Sequence, residues 1–196
     1  HEGMAIYSEA MYIEDKLGYN VMVDFLLDKK NWIRNNLPVV GPINSNYWAF
    51  GDSYAKGAWI MHTLRHVIDD DELWFNILRS FASKNAKSHV DTEDFLNHVI
   101  YKTNYNFKLI FYQYFYTHKP PILEYYQDGN RFYYRWEAVS GFDMPIDIDL
   151  NGVELRINPK NDINFIKISE FSVIHIRDWE FLIILKENPD LSLKDI

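Results

Sequence analysis

The segment Glu2–Glu9 has the sequence EGMAIYSE, and the segment Tyr54–Ala58 has the sequence YAKGA. We expect each of them to begin a helix. The first helix is expected to end at Gly18, because glycine readily adopts the left-handed conformation that ends helices. Gly57 is small enough for two helices to pack closely.

Apolar residues recur at helical spacing through the rest of the first 120 residues. Three stripes carry this pattern: Leu73, Trp74, Ile77, Leu78 and Phe81; Phe95, Leu96, Val99 and Ile100; and Phe107, Ile110, Phe111, Tyr114 and Phe115. Thr92 is expected to cap the middle helix, since a threonine hydroxyl can accept a hydrogen bond from a free backbone N–H. Residues 37–52 are rich in proline and glycine, which predicts one long loop.

After Pro121 the pattern becomes alternating and β-branched, which is typical of strands. Five strands are predicted, at 131–136, 145–150, 153–157, 163–168 and 181–185. Asp128-Gly129 and Asn151-Gly152 lie between such runs and indicate hairpins. The predicted fold class is α+β: a helical half over residues 1–120, followed by a small antiparallel β-sandwich over residues 121–196.

Composition excludes several classes of function. The 196 residues are 47% hydrophobic and 17% aromatic, which provides ample material for a core. The formal net charge of -8 argues against a nucleic-acid partner, which requires a basic surface. The absence of cysteine excludes disulfides, a thiolate nucleophile and a Cys-based zinc site. No apolar run approaches the roughly 18 residues that cross a membrane, so we predict no membrane segment here.

Glu2 and Glu9 are candidate functional carboxylates. They are seven residues apart, which is close to two helical turns and places both on one face. One carboxylate of such a pair can bind a metal while the other orients a neighbouring ligand. The alternative is a solvated helix start, where the dipole favours acidic residues. Spacing alone leaves both interpretations open.

The two segments that begin with Glu2 and Tyr54, in this order, resemble the aminopeptidase N family of zinc metallopeptidases, the gluzincins. In that family an H-E-x-x-H helix precedes the Glu of an E-G-x-x-x-Y-x-E sequence, and a Tyr in a Y-x-K-G sequence follows. The stretches Lys56–Arg65 and Phe142–Pro145 match the family's catalytic and β-sandwich domains. The resemblance implies the helical half of a thermolysin-like catalytic domain, followed by the β-sandwich.

The resemblance also implies roles for individual residues. Glu2 corresponds to the third zinc ligand, and Glu9 to an acid that holds a neighbouring ligand in place. Tyr54 corresponds to the phenol that donates to the oxyanion of the tetrahedral intermediate. These roles imply that Glu2, Glu9 and Tyr54 converge on one side of the helical half, so the helices that begin at Glu2 and Tyr54 are expected to be neighbours. The implied activity is that of an aminopeptidase, which hydrolyses peptide bonds through zinc-activated water. The alternative for Tyr54 is an interfacial tyrosine at a helix start, and the chain has 14 tyrosines.

The zinc-binding H-E-x-x-H motif does not occur in this chain, because the fifth position after His1-Glu2 is Ala5. Catalytic zinc requires three protein ligands, so zinc is expected in the intact enzyme and not in these 196 residues, which are expected to be inactive alone. The expected partners are a peptide substrate and the missing N-terminal part of the same protein. Uncovered helices are also expected to drive self-association.

His62 and His66 have the four-residue spacing of metal ligands on a helix, but no acidic residue lies between them. We therefore interpret them as packing histidines. Lys56 is expected to be a structural ion-pair partner.

Two other hypotheses remain for the chain as a whole. One is a catalytically dead family member that serves as a peptide- or protein-binding scaffold; the sequence upstream of His1 distinguishes it from an enzyme. The other is an unrelated helical domain with an aromatic-rich β-domain that binds carbohydrate or protein. It predicts that Glu2 and Tyr54 face different surfaces.

Overall fold

The computed structural model describes residues 1–42 and 50–193, and its first part is helical. The helices are α1 (Glu2–Leu17), α2 (Tyr19–Lys30), α3 (Ala55–Ile68), α4 (Asp71–Lys84), α5 (Thr92–Thr103) and α6 (Lys108–Phe111), with a 3₁₀ turn at Phe50–Ser53 and a π-turn at Tyr112–Tyr116. Gly18 ends α1 as predicted, with a φ of 94°. The sequence did not predict α2, which begins at the next residue.

The predicted apolar stripes form the buried faces of α4 and α5: Trp74, Ile77, Phe81, Phe95, Leu96 and Val99 are all buried. The prediction that Thr92 caps α5 is wrong. The cap is Asp91, whose carboxylate accepts from the N–H of Asp94 at 2.9 Å, while the Asp94 carboxylate accepts from the N–H of Asp91 at 3.0 Å. The reciprocal pair satisfies two N–H groups, whereas a single hydroxyl would satisfy one.

The predicted loop at residues 37–52 is described in part. Residues 37–42 carry neither helix nor strand, and residues 50–53 form the 3₁₀ turn. The remainder of the predicted loop lies outside the described residues.

Two small sheets follow the helices. Their strands are β1 (Ile122–Asp128), β2 (Arg131–Glu137), β3 (Ile146–Leu150), β4 (Val153–Ile157), β5 (Asn164–Lys167), β6 (Ile174–Ile176) and β7 (Ile184–Glu187), and α7 (Asp190–Leu193) comes last. The strand orders are β5-β2-β1-β7 and β4-β3-β6. Both predicted hairpins are confirmed. The β3–β4 turn has positive φ at Asn151 (54°) and Gly152 (80°), as tight hairpins require.

The sheets differ from the prediction at their ends. The sequence did not predict β1 or β6, and β7 begins at Ile184, three residues later than predicted. β7 pairs with β1 in parallel, so the four-stranded sheet is mixed, not purely antiparallel. The reason is that Phe181 and Leu182 are buried and the Leu182 N–H donates to the Thr63 hydroxyl of α3. The chain therefore reaches the helices before it returns to the sheet beside β1.

Helices and sheets share one apolar core, from Tyr7 in α1 to Ile183 before β7. Its largest members satisfy their polar atoms inside it. The indole N–H of Trp74 donates to the Tyr7 hydroxyl at 3.0 Å, and that of Trp136 donates to the carbonyl of Met144 at 2.9 Å. Among the helices described, none is both long and apolar enough to cross a membrane.

Candidate active site

The first turns of α1 and α3 are in backbone contact. Gly3 is buried, and a Cβ built on it would lie 2.5 Å from the Cα of Gly57. Two carbon atoms that are not bonded do not approach so closely, so only glycine fits at this crossing. The expectation that these two helices are neighbours, with Gly57 allowing their close approach, is confirmed.

Glu2 directly precedes Gly3 and lies in the first turn of α1, where the helix dipole favours a carboxylate. Its side chain is 35% exposed, and its Oε1 lies 2.9 Å from Nε2 of His1. Glu9 is two turns further along α1 and is exposed. Glu2 therefore lies beside the crossing of the helices, and Glu9 lies further from it.

Tyr54 directly precedes α3, three residues before Gly57. Its N–H donates to the carbonyl of Gly51 at 3.1 Å, and its own carbonyl accepts from the N–H of Ala58 at 3.0 Å. Its side chain points outward enough to be 43% exposed. The backbone of this tyrosine is thus held at both ends while its phenol stays accessible. The convergence of the Tyr54 phenol and the Glu2 carboxylate on one point stays a prediction.

Two buried charged side chains anchor the chain on either side of this tyrosine. Asp52 is 2% exposed and accepts from the N–H groups of Arg34 at 2.7 Å and Asn35 at 2.8 Å. Lys56 is fully buried, and its Nζ donates to the carbonyl of His118 at 2.6 Å. Each contact joins the start of α3 to a distant part of the chain, and together they fix where α3 begins.

The prediction of an ion-pair partner for Lys56 is wrong. Within the described part of the chain its hydrogen bond goes to a backbone carbonyl, and the Asp52 carboxylate acts on it only through its charge. Burial lowers the pKa of Lys56 to about 8, and the negative charge of Asp52 opposes that shift. A buried ammonium with a neutral acceptor is less stabilised than one that is paired with a carboxylate.

Arg65 fixes α1 against α3 and α4, a role that was not predicted from the sequence. Its side chain is 5% exposed. The guanidinium donates two hydrogen bonds to the Glu14 carboxylate, at 2.6 and 2.9 Å, and two to the Asp71 carboxylate, both at 2.7 Å. Two bidentate pairs on one guanidinium hold three helices in a defined geometry. Asp52 was missed as well, because a single aspartate in a loop belongs to no pattern; its only signal is its position two residues before Tyr54.

A groove of about 280 Å³ lies at the crossing of α1 and α3, where α5 also begins. Its walls come from the starts of all three helices, with apolar side chains behind them: His1, Gly3, Met4, Val39, Ser53, Gly57, Met61, Phe81, Val90, Asp91, Thr92, Phe95 and Phe115. Glu2 and Tyr54 are each next in sequence to a lining residue and do not themselves line the groove. A small apolar side chain of a ligand fits a cavity of this size and lining.

The described residues do not form a zinc site by themselves. Catalytic zinc requires three protein ligands, and within residues 1–42 and 50–193 no three His, Asp or Glu side chains are placed to hold a metal ion. Glu2 therefore fits a zinc ion only as one ligand of a larger set. His62 and His66 are packed edge to face, with ring centroids 4.6 Å apart, and His62 is fully buried, which confirms that they pack in the interior.

Comparison with known proteins gives a likeness in fold. The crystal structure of Legionella pneumophila aminopeptidase A in complex with aspartic acid matches 95% of this chain with a TM-score of 0.59 and 18% identity. The match covers 24% of that protein, so this chain spans about a quarter of its length. No family model matches the chain, and no curated protein sequence matches it.

Proposed function

We propose that this chain is the C-terminal part of a zinc-dependent peptidase of the aminopeptidase type. The observation that carries the proposal is the contact of Gly3 with Gly57, since it joins the two segments that resemble the aminopeptidase N family. The likeness in fold to the Legionella protein supports it, because the match extends over 95% of this chain. Residues 1–120 would be the helical part of a thermolysin-like catalytic domain, and residues 121–196 a β-sandwich domain.

Tyr54 is proposed as the donor to the oxyanion that develops when a peptide carbonyl is attacked. Such a donor stabilises the transition state best when it is fixed beforehand. The contacts of Asp52 and Lys56 hold the backbone on either side of Tyr54, and the exposed phenol is accessible to substrate. Glu2 is proposed as one zinc ligand, and Glu9 as the acid that orients a neighbouring ligand.

The other zinc ligands and the general base are proposed to come from residues that precede this chain in the intact protein. That preceding part is therefore the first partner we propose, and a peptide is the substrate. The 196 residues alone provide a single ligand of the set, which is too few for catalytic zinc.

The full-length protein provides the test. Tyr54→Phe should lower kcat by on the order of 10²–10³-fold with little change in KM, because the phenol bond strengthens mainly in the transition state. Glu2→Ala should lose metal and activity together. Tyr12→Phe is the matched control at an exposed tyrosine of α1, and it should change neither the metal content nor the activity. A near-normal kcat in Tyr54→Phe would contradict the role of Tyr54.

The alternative is a catalytically inactive relative that binds peptides or proteins as a scaffold. The groove at the start of α1, α3 and α5 favours it as a second candidate, because an apolar groove binds a side chain without any metal. In that case the full-length protein should bind a peptide but should not hydrolyse it when zinc is present. Turnover that a chelator abolishes would exclude the scaffold.

A further inference from the structure

The chain between β6 and β7 lies against α2 and α3, and we call residues 177–182 the seam segment. Lys30 of α2 donates to the carbonyl of Asp178 at 3.2 Å. His62 of α3 lies with Nε2 3.2 Å from the carbonyl of Trp179, so Nε2 carries the proton. Three residues further along the seam segment, the N–H of Leu182 donates to a threonine hydroxyl of α3 at 2.8 Å. These bonds join the helices to the chain that leads into the last strand.

Two imidazoles lie at the centre of this contact. His62 is fully buried, and its Nδ1 has no hydrogen-bond partner among the described residues, 1–42 and 50–193. The neighbouring His66 side chain is 18% exposed and packs against Phe181 at 5.9 Å between ring centroids. Both rings therefore fit as neutral, mainly apolar groups. A proton added to Nδ1 of His62 would place a buried charge in the interface, and a proton added to His66 would face only the Glu180 carboxylate, 3.9 Å away.

Glu180 of the seam segment is the nearest carboxylate, and its side chain is 4% exposed. Its Oε2 lies 3.9 Å from Nδ1 of His66 and accepts no hydrogen bond from the part of the chain that the structure describes. The Tyr19 hydroxyl lies 3.4 Å both from Nε2 of His66 and from Oε1 of Glu180. Arg177 already pairs with the carboxylate, with NH2 3.1 Å from Oε1. Arg177 thus compensates part of the carboxylate charge before any histidine gains a proton.

Charged groups face this cluster from every element around it. The cations are Lys30 from α2, Arg65 from α3, Arg156 from β4 and Arg177 from the seam segment; the acids are Asp71 from α4, Asp147 from β3, Glu154 from β4, and Asp178 and Glu180 from the seam segment. Arg156 also donates to the last carbonyls of α3, those of His66 at 3.0 Å and Val67 at 2.7 Å. The cations approach the imidazoles closely enough to oppose their protonation.

We propose that the His62–His66 pair is an acid-sensitive latch: the neutral imidazoles hold the seam segment against α3, and their protonation releases it. The proposal goes beyond the peptidase function and does not depend on it. What makes the pair a latch is its place in the contact between the helices and the chain leading into β7.

The expected direction of the effect follows from the proton balance. Burial lowers the pKa of His62 to about 3, and burial together with the charge of His62 lowers the pKa of His66 to about 2. A released histidine takes up its proton near its ordinary pKa of 6.5. Below that pH the open state binds more protons than the closed state. Each histidine therefore favours opening by up to about tenfold per pH unit as the pH falls.

Glu180 acts in the opposite direction. Burial raises the pKa of Glu180 from 4.5 to about 7, so between these values the closed state holds the extra proton. Acidification then favours closing, by up to about tenfold per pH unit. With two histidines against one glutamate, the net effect between about pH 6.5 and 4.5 is opening by roughly tenfold per pH unit.

The amide of Leu182 reports on the latch, since its hydrogen bond to α3 breaks when the segment opens. Its opening equilibrium constant is measured by hydrogen exchange at pH 7.5 and 5, corrected for the intrinsic exchange rate. We expect at least a tenfold rise at pH 5. The opening equilibrium constant of the Tyr134 amide, inside the four-stranded sheet, should not rise between pH 7.5 and 5. No rise at Leu182, or an equal rise at Tyr134, would overturn the proposal, because the latter indicates global unfolding.

Variants distinguish the histidines from other titrating groups. In the double variant His62→Gln/His66→Gln the two histidines no longer titrate, while Glu180 still does. The opening constant of the Leu182 amide should therefore fall on acidification instead of rising. In Glu180→Gln the opening constant of the Leu182 amide should rise more steeply on acidification, toward a hundredfold per pH unit. His98→Gln is the control, because His98 forms its hydrogen bond with Ser80, away from the seam segment. This variant should leave the pH dependence of the Leu182 opening constant unchanged. If the double variant does not fold, Glu180→Gln still tests the latch, because an opening constant of Leu182 that does not rise on acidification in that variant refutes it.

Discussion

A Cβ built on Gly57 would lie 2.8 Å from the Cα of Gly3, so α1 and α3 meet backbone to backbone. No flexible side chain separates the two helices at this point, and nothing can move aside for an added methyl group. The crossing therefore depends on glycine at both positions.

Gly57→Ala should lower the free energy of unfolding by about 1–3 kcal/mol, since the helices must separate to accept the methyl group. The loss should appear although alanine is the better helix former by about 1 kcal/mol. Urea denaturation measures it. Gly51→Ala is the control, because among the residues that the structure describes a Cβ there meets only the carbonyl of Trp32, at 3.4 Å. Equal effects of the two substitutions would contradict the close crossing.

Arg65→Met should destabilise the protein by about 1–3 kcal/mol, because two carboxylates lose the donor that joins them. Both partners keep access to water, so the loss should stay below that of a fully buried pair. Arg65→Lys should recover only part of it, since an ammonium cannot form two bidentate pairs. Arg79→Met, at an exposed position of α4, is the control for loss of charge. Thermal and urea unfolding compare the three variants, and full recovery by lysine would argue against the paired geometry.

The stability of the protein relative to Lys56→Met should rise with pH between about 8 and 10.5. Burial lowers the pKa of Lys56 to about 8 in the folded state, whereas the unfolded chain has the ordinary value of 10.5. Between these values the unfolded chain binds more protons, so raising the pH favours folding by up to about 1.4 kcal/mol per pH unit. Denaturation at three pH values measures the difference. Lys16→Met, at a lysine whose side chain is 56% exposed, is the control for loss of a lysine charge.

The 196 residues alone should neither bind zinc tightly nor hydrolyse aminoacyl anilides. The described residues place no three metal ligands together, and Glu2 is a single carboxylate. Isothermal titration with zinc and an anilide assay with added zinc are the measurements. Chelator-sensitive turnover by this chain would refute the assignment of the other ligands to a preceding part of the protein.

Local patterns predicted much of this fold. The apolar stripe that includes Trp74 and Phe81 predicted α4, and the pair Asn151-Gly152 predicted a hairpin. Both predictions succeeded because each feature depends on residues that are neighbours in sequence. The close approach of the two helices at Gly57 was also predicted, whereas Gly3 as its partner in the contact was not.

Features that depend on distant partners were not predictable in this way. The parallel pairing of β7 with β1 depends on where Phe181 is buried, and that depends on the completed helical core. Lys56 was expected to pair with an acid, but its acceptor, the carbonyl of His118, is 62 residues away in sequence. Asp52 binds two N–H groups of a turn whose position only the folded chain defines.

The bond between Thr63 and Leu182 spans 119 residues, which has a consequence during synthesis. A ribosome adds about 5–20 residues per second, so α3 leaves it on the order of ten seconds before the seam segment does. Through that interval the face of α3 that the seam segment later covers is open to chaperones and to other nascent chains. The seam segment, which is translated well after α3, thus completes the packing of the third helix.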